Sequence, residues 1–299
     1  MRIFLTGSTG FIGSNVASEL IASGHEVSGL TRSESGRQAL AAIGVHAYPG
    51  NIEDLQSLQR GASECDGVIH TAFDHNFANF VENCQKDRRA ILALGAALEG
   101  SDRPLIITSS TAMGSTVPGQ KALENSFNPD HPNPRVASEL AGLELSQRGV
   151  NVSVMRLSQI HDTRKQGLVT EVIGLARKTG ISAYIEGALN GWSATHIKDT
   201  AQLYRLALER QASGSRYHAT AEESVPFRRI AEMIAHKWGL PLVALDAESA
   251  AAHFGWLTPF VSKDMSASSA LTREALQWNP QGPTLLTDLQ NMRDDGLAN

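Results

Sequence analysis

Three glycines spaced three residues apart, Gly7, Gly10 and Gly13, follow directly on the short apolar run Met1-Arg2-Ile3-Phe4-Leu5. A stretch of helical periodicity comes after them. A strand that passes through a glycine turn into a helix is the arrangement that holds a pyrophosphate. Gly7 permits the tight turn, Gly10 lets the backbone approach an anion, and Gly13 lets the helix pack close to the strand. The helix amino terminus then offers N–H groups and a partial positive charge. On this reading the cradle is Gly7, Ser8, Thr9, Gly10, Phe11, Ile12 and Gly13. Glycines also punctuate ordinary turns. The strand before and the helix after favour the cradle.

Strand and helix signals alternate through the next 150 residues or so, the pattern of a parallel sheet covered by helices on both faces. Residues 26–31, 45–48, 67–71, 104–108 and 151–156 read as strands two to six. Long helical stretches cover 77–98 and 135–147. The fold class is therefore α/β, a doubly wound parallel sheet over residues 1–157. Beyond Leu157 helical segments dominate, so 158–299 reads as a smaller, mostly helical substrate-binding region, with 193–214 returning to the main domain. The last residues, 294–299, are expected to fray.

Composition narrows the classes further. A net charge of −5 with no Lys/Arg cluster gives no footprint for nucleic acid or an anionic membrane, and neither partner is expected. No apolar stretch reaches spanning length, and no signal peptide is read. Cys65 and Cys84 lie far apart, and the ten histidines form no HxxxH or HExxH pattern. No metal site is expected, and reduced thiols suit a cytoplasmic location.

The spacing Thr6-Gly7-x-x-Gly10-x-x-Gly13 is not the usual GxGxxG. It resembles the extended branch of the short-chain dehydrogenase/reductase superfamily, which holds nucleotide-sugar epimerases, dehydratases and 3β-hydroxysteroid dehydrogenases. The resemblance implies a Rossmann-type dinucleotide-binding domain. It places Asn51 and Ile52 near adenine, Ala72 and Phe73 along the cofactor, and Ser158 near the nicotinamide carboxamide. It also implies an Asn-like propping position at Asp87, for which an ion pair with Arg88 or Arg89 is the alternative. Relatives often pair through two long helices, and 77–98 with 135–147 would allow a homodimer.

An acidic residue at the end of the second strand would favour NAD(H) by binding the adenosine ribose. Thr31-Arg32-Ser33 stands there instead. A guanidinium with two hydroxyls suits a 2′-phosphate, so NADP(H) is expected over NAD(H), with Arg32 as the clamp. The alternative leaves Arg32 in solvent and gives the ribose to Glu34.

Family members carry a Ser or Thr after the fifth strand and a Tyr-x-x-x-Lys on the next helix. Here Ser110 or Thr111, with Thr111 slightly preferred, takes the hydroxyl position. All four tyrosines lie elsewhere. His131-x-x-x-Arg135 has the spacing of the missing pair, and the chain resembles an atypical subgroup in which His and Arg replace Tyr and Lys. Imidazole can serve proton transfer near neutrality, and Arg135 would hold charge and ribose. Asn133 and Pro134 suit a helix start, which would leave His131 in the loop outside it. His70 reads as a satisfied core histidine, while Asp74 and His75 end a strand where ligands gather. His161 falls where many relatives have Tyr. Trp192, His196, Phe254 and Trp256 either pack or wall the substrate pocket.

The leading expectation is an NADP(H)-dependent oxidoreductase passing hydride between nicotinamide and a small carbonyl or alcohol substrate. The alternatives are a nucleotide-sugar epimerase or dehydratase, and a non-catalytic dinucleotide-binding redox sensor.

Overall fold

Strand β1 (Arg2–Thr6) buries Ile3, Phe4 and Leu5 completely, although successive side chains of a strand point to opposite faces. Such a strand needs cover above and below. The computed structural model describes residues 1–117 and 119–293 and supplies that cover on both sides. The expectation for 294–299 lies outside the described residues. In chain order β1 is followed by α1 Phe11–Ala22, β2 Glu26–Thr31, α2 Glu34–Ala42, β3 His46–Pro49 and α3 Leu55–Ser63. Then come β4 Gly67–His70, α4 Phe80–Ala96, β5 Leu105–Ser110, α5 Val136–Gln147, β6 Val152–Leu157, β7 Gln159–His161 and α6 Leu168–Thr179. The chain continues through β8 Ser182–Ile185, β9 Gly191–His196, α7 Ile197–Arg210, β10 Arg216–Ala219, β11 Glu222–Pro226 and α8 Phe227–Trp238. It closes with β12 Leu242–Leu245, α9 Ala247–Phe254, α10 Thr258–Val261, α11 Ala270–Leu276 and α12 Leu285–Gln290.

The main sheet runs β10-β6-β5-β4-β1-β2-β3, every pair parallel. This is the doubly wound order of a Rossmann fold with a strand added beyond β6. Ile3 and Leu5 join Val16, Leu20, Leu203 and Tyr204 on one face, while Phe4 joins Leu58, Ile91, Leu94 and Leu145 on the other. Helices α1 and α7 therefore cover one side and α3, α4 and α5 the other. The strand order reverses between β1 and β4, and the carboxyl ends open a crevice there.

The seventh strand, β10, was not expected. Its sequence Arg216-Tyr217-His218-Ala219 lacks an apolar run, because its polar side chains belong to a buried network. Arg156, wholly buried, makes a bidentate pair with Glu139 at 2.7 and 2.8 Å, and Arg216 Nε adds a bond of 3.0 Å. Arg156 Nη1 also donates to His218 Nε2 at 3.2 Å, while His218 Nδ1 donates to the Ser268 carbonyl at 2.8 Å. Burial, and then the Arg156 cation, pull His218 down to about 3, so its ring is neutral.

The carboxyl-terminal region is helical as expected, but also holds a three-stranded sheet, β11-β9-β7, and a parallel pair, β12 with β8. Trp192, Phe227, Ile230, Ile234 and Phe254 fill its core. Helix α7 leaves this region to lie against α1. No helix among the described residues is long and apolar enough to cross a membrane.

Candidate active site

The glycine turn is built as its spacing demands. Gly7 has φ +71°, in the left-handed region, and a Cβ there would meet Ala72 N at 2.7 Å. A Cβ on Gly13 would lie 2.1 Å from the Gly7 carbonyl oxygen. The Gly10 amide closes the turn by donating to that same oxygen at 2.9 Å. Helix α1 begins immediately after, and no side chain caps it. Its leading N–H groups are thus left for an anion. These are the features a dinucleotide diphosphate requires, and the backbone here fits one.

A cavity of about 2250 Å³ runs from this turn along the carboxyl ends of the strands and under the carboxyl-terminal region. Gly7, Thr9, Gly10, Phe11, Ile12, Gly13, Arg32, Asn51, Ile52, Ala72 and Phe73 line its cofactor side. Ser110, Thr111, His131, Arg135 and Ser158 line it further on. Ser8 is turned inward, its hydroxyl donating to the Leu30 carbonyl at 2.9 Å.

Beside the end of β2 a recess of about 230 Å³ is formed by Thr31, Arg32, Ser33, Glu34, Arg37 and Gly50 with their neighbours. Arg32 is exposed and makes no ion pair among the described residues, whereas Glu34 is engaged by Arg37 at 3.4 Å. Ser33 Oγ accepts the Gly36 amide and caps α2. Arg37, at the end of the first turn of α2, went unnoticed in the sequence because its place in the recess depends on where α2 starts. Asn51 accepts the Glu53 and Asp54 amides, which shapes the turn into α3.

Beneath the cavity lies a buried polar chain. His70 Nε2 donates to Asp87 Oδ1 at 3.0 Å, and its Nδ1 meets the Thr6 hydroxyl at 2.7 Å. The other Asp87 oxygen receives Arg135 Nη1 at 2.7 Å and the Ser138 hydroxyl at 2.6 Å. Arg135 Nη2 donates to the Thr108 carbonyl at 2.9 Å, and the guanidinium stacks on Phe73, 3.9 Å from the ring centroid. Desolvation alone would raise the Asp87 carboxyl; Arg135, with His70 and Ser138, outweighs it and holds the group below the usual carboxylate range. Asp87 thus pairs with neither Arg88 nor Arg89, which turn instead to Glu144 and Glu82.

Helix α5 begins at Val136 with Arg135 at its N-cap. Asn133 Oδ1 accepts the Arg135 amide, and His131 lies in the preceding loop. Its Nδ1 accepts the Asn133 amide at 3.1 Å, so the neutral ring carries its proton on Nε2. Partial burial, and then the Lys263 ammonium, hold His131 below the ordinary imidazole value. Ser110 Oγ accepts the Ala112 amide at 3.3 Å, and Thr111 is buried at the first position of a short 3-10 turn. Ser109 is also in the cavity wall, and its buried hydroxyl has no hydrogen-bond partner among the described residues. Ser158 donates to the Ala219 carbonyl.

His161 does not reach the cavity; it is fully buried and donates from Nδ1 to Asp288 at 2.7 Å. His196 caps α7 close to the same carboxylate. Trp192 and Phe254 pack in the second core, and Trp256 is half exposed against Phe260. Asp74 and His75 lie in the cavity wall. Lys165 and Lys263 do so as well, and no motif marks either in the sequence.

The model of the NAD dependent epimerase/dehydratase family matches residues 3–221, and the chain belongs to that family. An uncharacterized protein of Schizosaccharomyces pombe is 44% identical over 290 residues, 97% of this chain and 98% of its own. The sterol-4-alpha-carboxylate 3-dehydrogenase, decarboxylating, of Dictyostelium discoideum is 27% identical, with 76% of this chain and 74% of that one covered. The Thermus thermophilus UDP-glucose 4-epimerase complex with NAD shares the fold at a TM-score of 0.74 and 20% identity, over 98% of this chain and 97% of that chain. Family and relatives support an NAD(P)-dependent enzyme of the oxidoreductase, epimerase or dehydratase kind.

Proposed function

We propose that the chain is an NADP(H)-dependent oxidoreductase acting on a carbonyl or alcohol substrate. One observation carries this reading: a single cavity joins the glycine turn, the unpaired Arg32, the Ser110 and Thr111 hydroxyls and His131. The amides at the start of α1 hold the diphosphate, and Arg32 with Arg37 holds the 2′-phosphate. A bound nicotinamide supplies or accepts the hydride. Thr111 or Ser110 binds the reacting oxygen. His131, neutral with N–H on Nε2, donates a second hydrogen bond to that oxygen, as an oxyanion donor does. Solvent reaching these hydroxyls provides the proton that balances the transfer. Arg135 is held by Asp87 and Thr108, so its part is to fix Phe73 and the loop before α5. The His-x-x-x-Arg pattern then describes a donor and an anchor. Helices α4 and α5 pack side by side and offer the face for a homodimer.

An epimerase or dehydratase reading lacks the tyrosine those chemistries use: none lines the cavity among the described residues. The test follows NADPH absorbance with aldehydes, ketones and quinones, with NADH in parallel. Turnover is expected with NADPH, and His131→Ala should lower kcat by about 10²–10³-fold while cofactor binding persists. Tight NADPH binding without consumption by any carbonyl, indifferent to that substitution, would leave the redox-sensor reading instead.

A further inference from the structure

The substrate end of the cavity is roofed by α10 and the segment following it. Phe260, Lys263, Met265 and Ser266 line it from that side. The segment is rigidly tied. Asn190 Nδ2 donates to the Val261 and Lys263 carbonyls at 2.9 and 3.2 Å, and the Met265 amide donates to the Gly191 carbonyl at 2.8 Å. On the far side the Ala122 amide donates to the Ser266 carbonyl at 2.9 Å, joining the roof to the loop after β5.

Both signs of charge stand on this roof, Lys263 and Asp264, and they are engaged differently. The Asp264 carboxylate accepts the Gly191 amide at 2.9 Å and the Ser266 hydroxyl at 2.6 Å, which turns it towards its own loop and not to Lys263. Lys263 has no ion-pair partner among the described residues. Elsewhere the lining carries both signs as well, Lys165 and Glu171. Toward the cofactor, Lys86 is met by Glu53 at 2.8 Å. An exposed ammonium that lines a substrate cavity without an ion-pair partner can receive an anionic group.

We infer that Lys263 is the anion-binding end of the substrate site, so that the substrate is a carbonyl or alcohol compound bearing a carboxylate or phosphate. This deepens the proposed oxidoreductase reading and rests on it. The carbonyl oxygen lies at Ser110 and Thr111, and the anionic group reaches up to Lys263. The field of Lys263 on His131 agrees with this closeness, since the ammonium is a cause of the lowered imidazole value.

The experiment compares kcat/KM for 2-oxo-4-phenylbutanoate against its methyl ester, and glyceraldehyde 3-phosphate against glyceraldehyde, with NADPH saturating. A charged member is favoured by about tenfold, and which pair shows it tells carboxylate from phosphate. Lys263→Met brings that ratio towards one through KM, and Lys263→Arg retains it. Ratios near one in the wild type, or a ratio unmoved by Lys263→Met, overturn the inference while leaving the oxidoreductase reading intact. Should no carbonyl be turned over, calorimetry of the NADPH-loaded chain with oxamate, a non-reducible 2-oxo acid analogue, decides. Binding that weakens about tenfold in Lys263→Met keeps the anion site and sinks the oxidoreductase reading. No binding sinks both.

Discussion

The Asp87 carboxylate and the Arg135 guanidinium meet at 2.7 Å, both buried, with Phe73 stacked over the cation. Removing one member of such a pair strands the other charge away from water. Asp87→Ala is expected to lower stability by about 3–5 kcal/mol, measured by urea unfolding at pH 7. A cost below about 1 kcal/mol would show that the guanidinium finds solvent, and that the pair does not anchor the loop before α5.

Arg32 sets coenzyme choice if the recess beside β2 takes a 2′-phosphate. Arg32→Ala should weaken NADPH about 10–100-fold, the worth of one or two charge-assisted bonds, while NADH changes little. Fluorescence titration of both coenzymes checks this. Equal losses for the two would return Arg32 to the solvent.

Two glycines separate cofactor binding from backbone strain. Gly13→Ala drives a methyl against the Gly7 carbonyl and should abolish dinucleotide binding. Gly24 has φ +83° but open space around it. Its replacement by Ala should cost about 1 kcal/mol of stability and leave coenzyme affinity alone. Thermal melts paired with coenzyme titration distinguish the two effects.

His218 gives a pH signature. Its folded pKa of about 3 lies below the ordinary 6.5, so between these values the unfolded chain takes up a proton that the folded one refuses. Stability should therefore fall as pH drops from 6.5 towards 3, by at most about 1.4 kcal/mol per pH unit from this group. His218→Gln keeps one acceptor and one donor and should flatten that slope in denaturant titrations at pH 4, 5 and 6. An unchanged slope would assign the acid sensitivity to other groups.

The glycine turn and the alternation of strands were legible because each is written in consecutive residues. Backbone freedom at Gly7 and the apolar pattern of β1 are local properties. The family resemblance pointed to Ser110 or Thr111, and both line the cavity, but nothing local in the sequence distinguishes the two. Partners brought together by folding left no local trace. Arg135 meets Asp87 from α4 and Thr108 from β5, and Lys263 comes to the cavity from beyond α10. Strand β10 was missed for a related reason: its Arg and His look solvent-bound until Arg156 and Glu139 are placed beside them.

That late strand has a consequence for synthesis. The flank of β6 stays bare until Arg216–Ala219 emerges, after β9 and α7 have been made. A chain stalled before then holds a Rossmann half with an open edge, in which Arg156 can pair with Glu139 but the second cation, Arg216, is still to come. During that interval the bare flank of β6 is the place where another strand could pair wrongly.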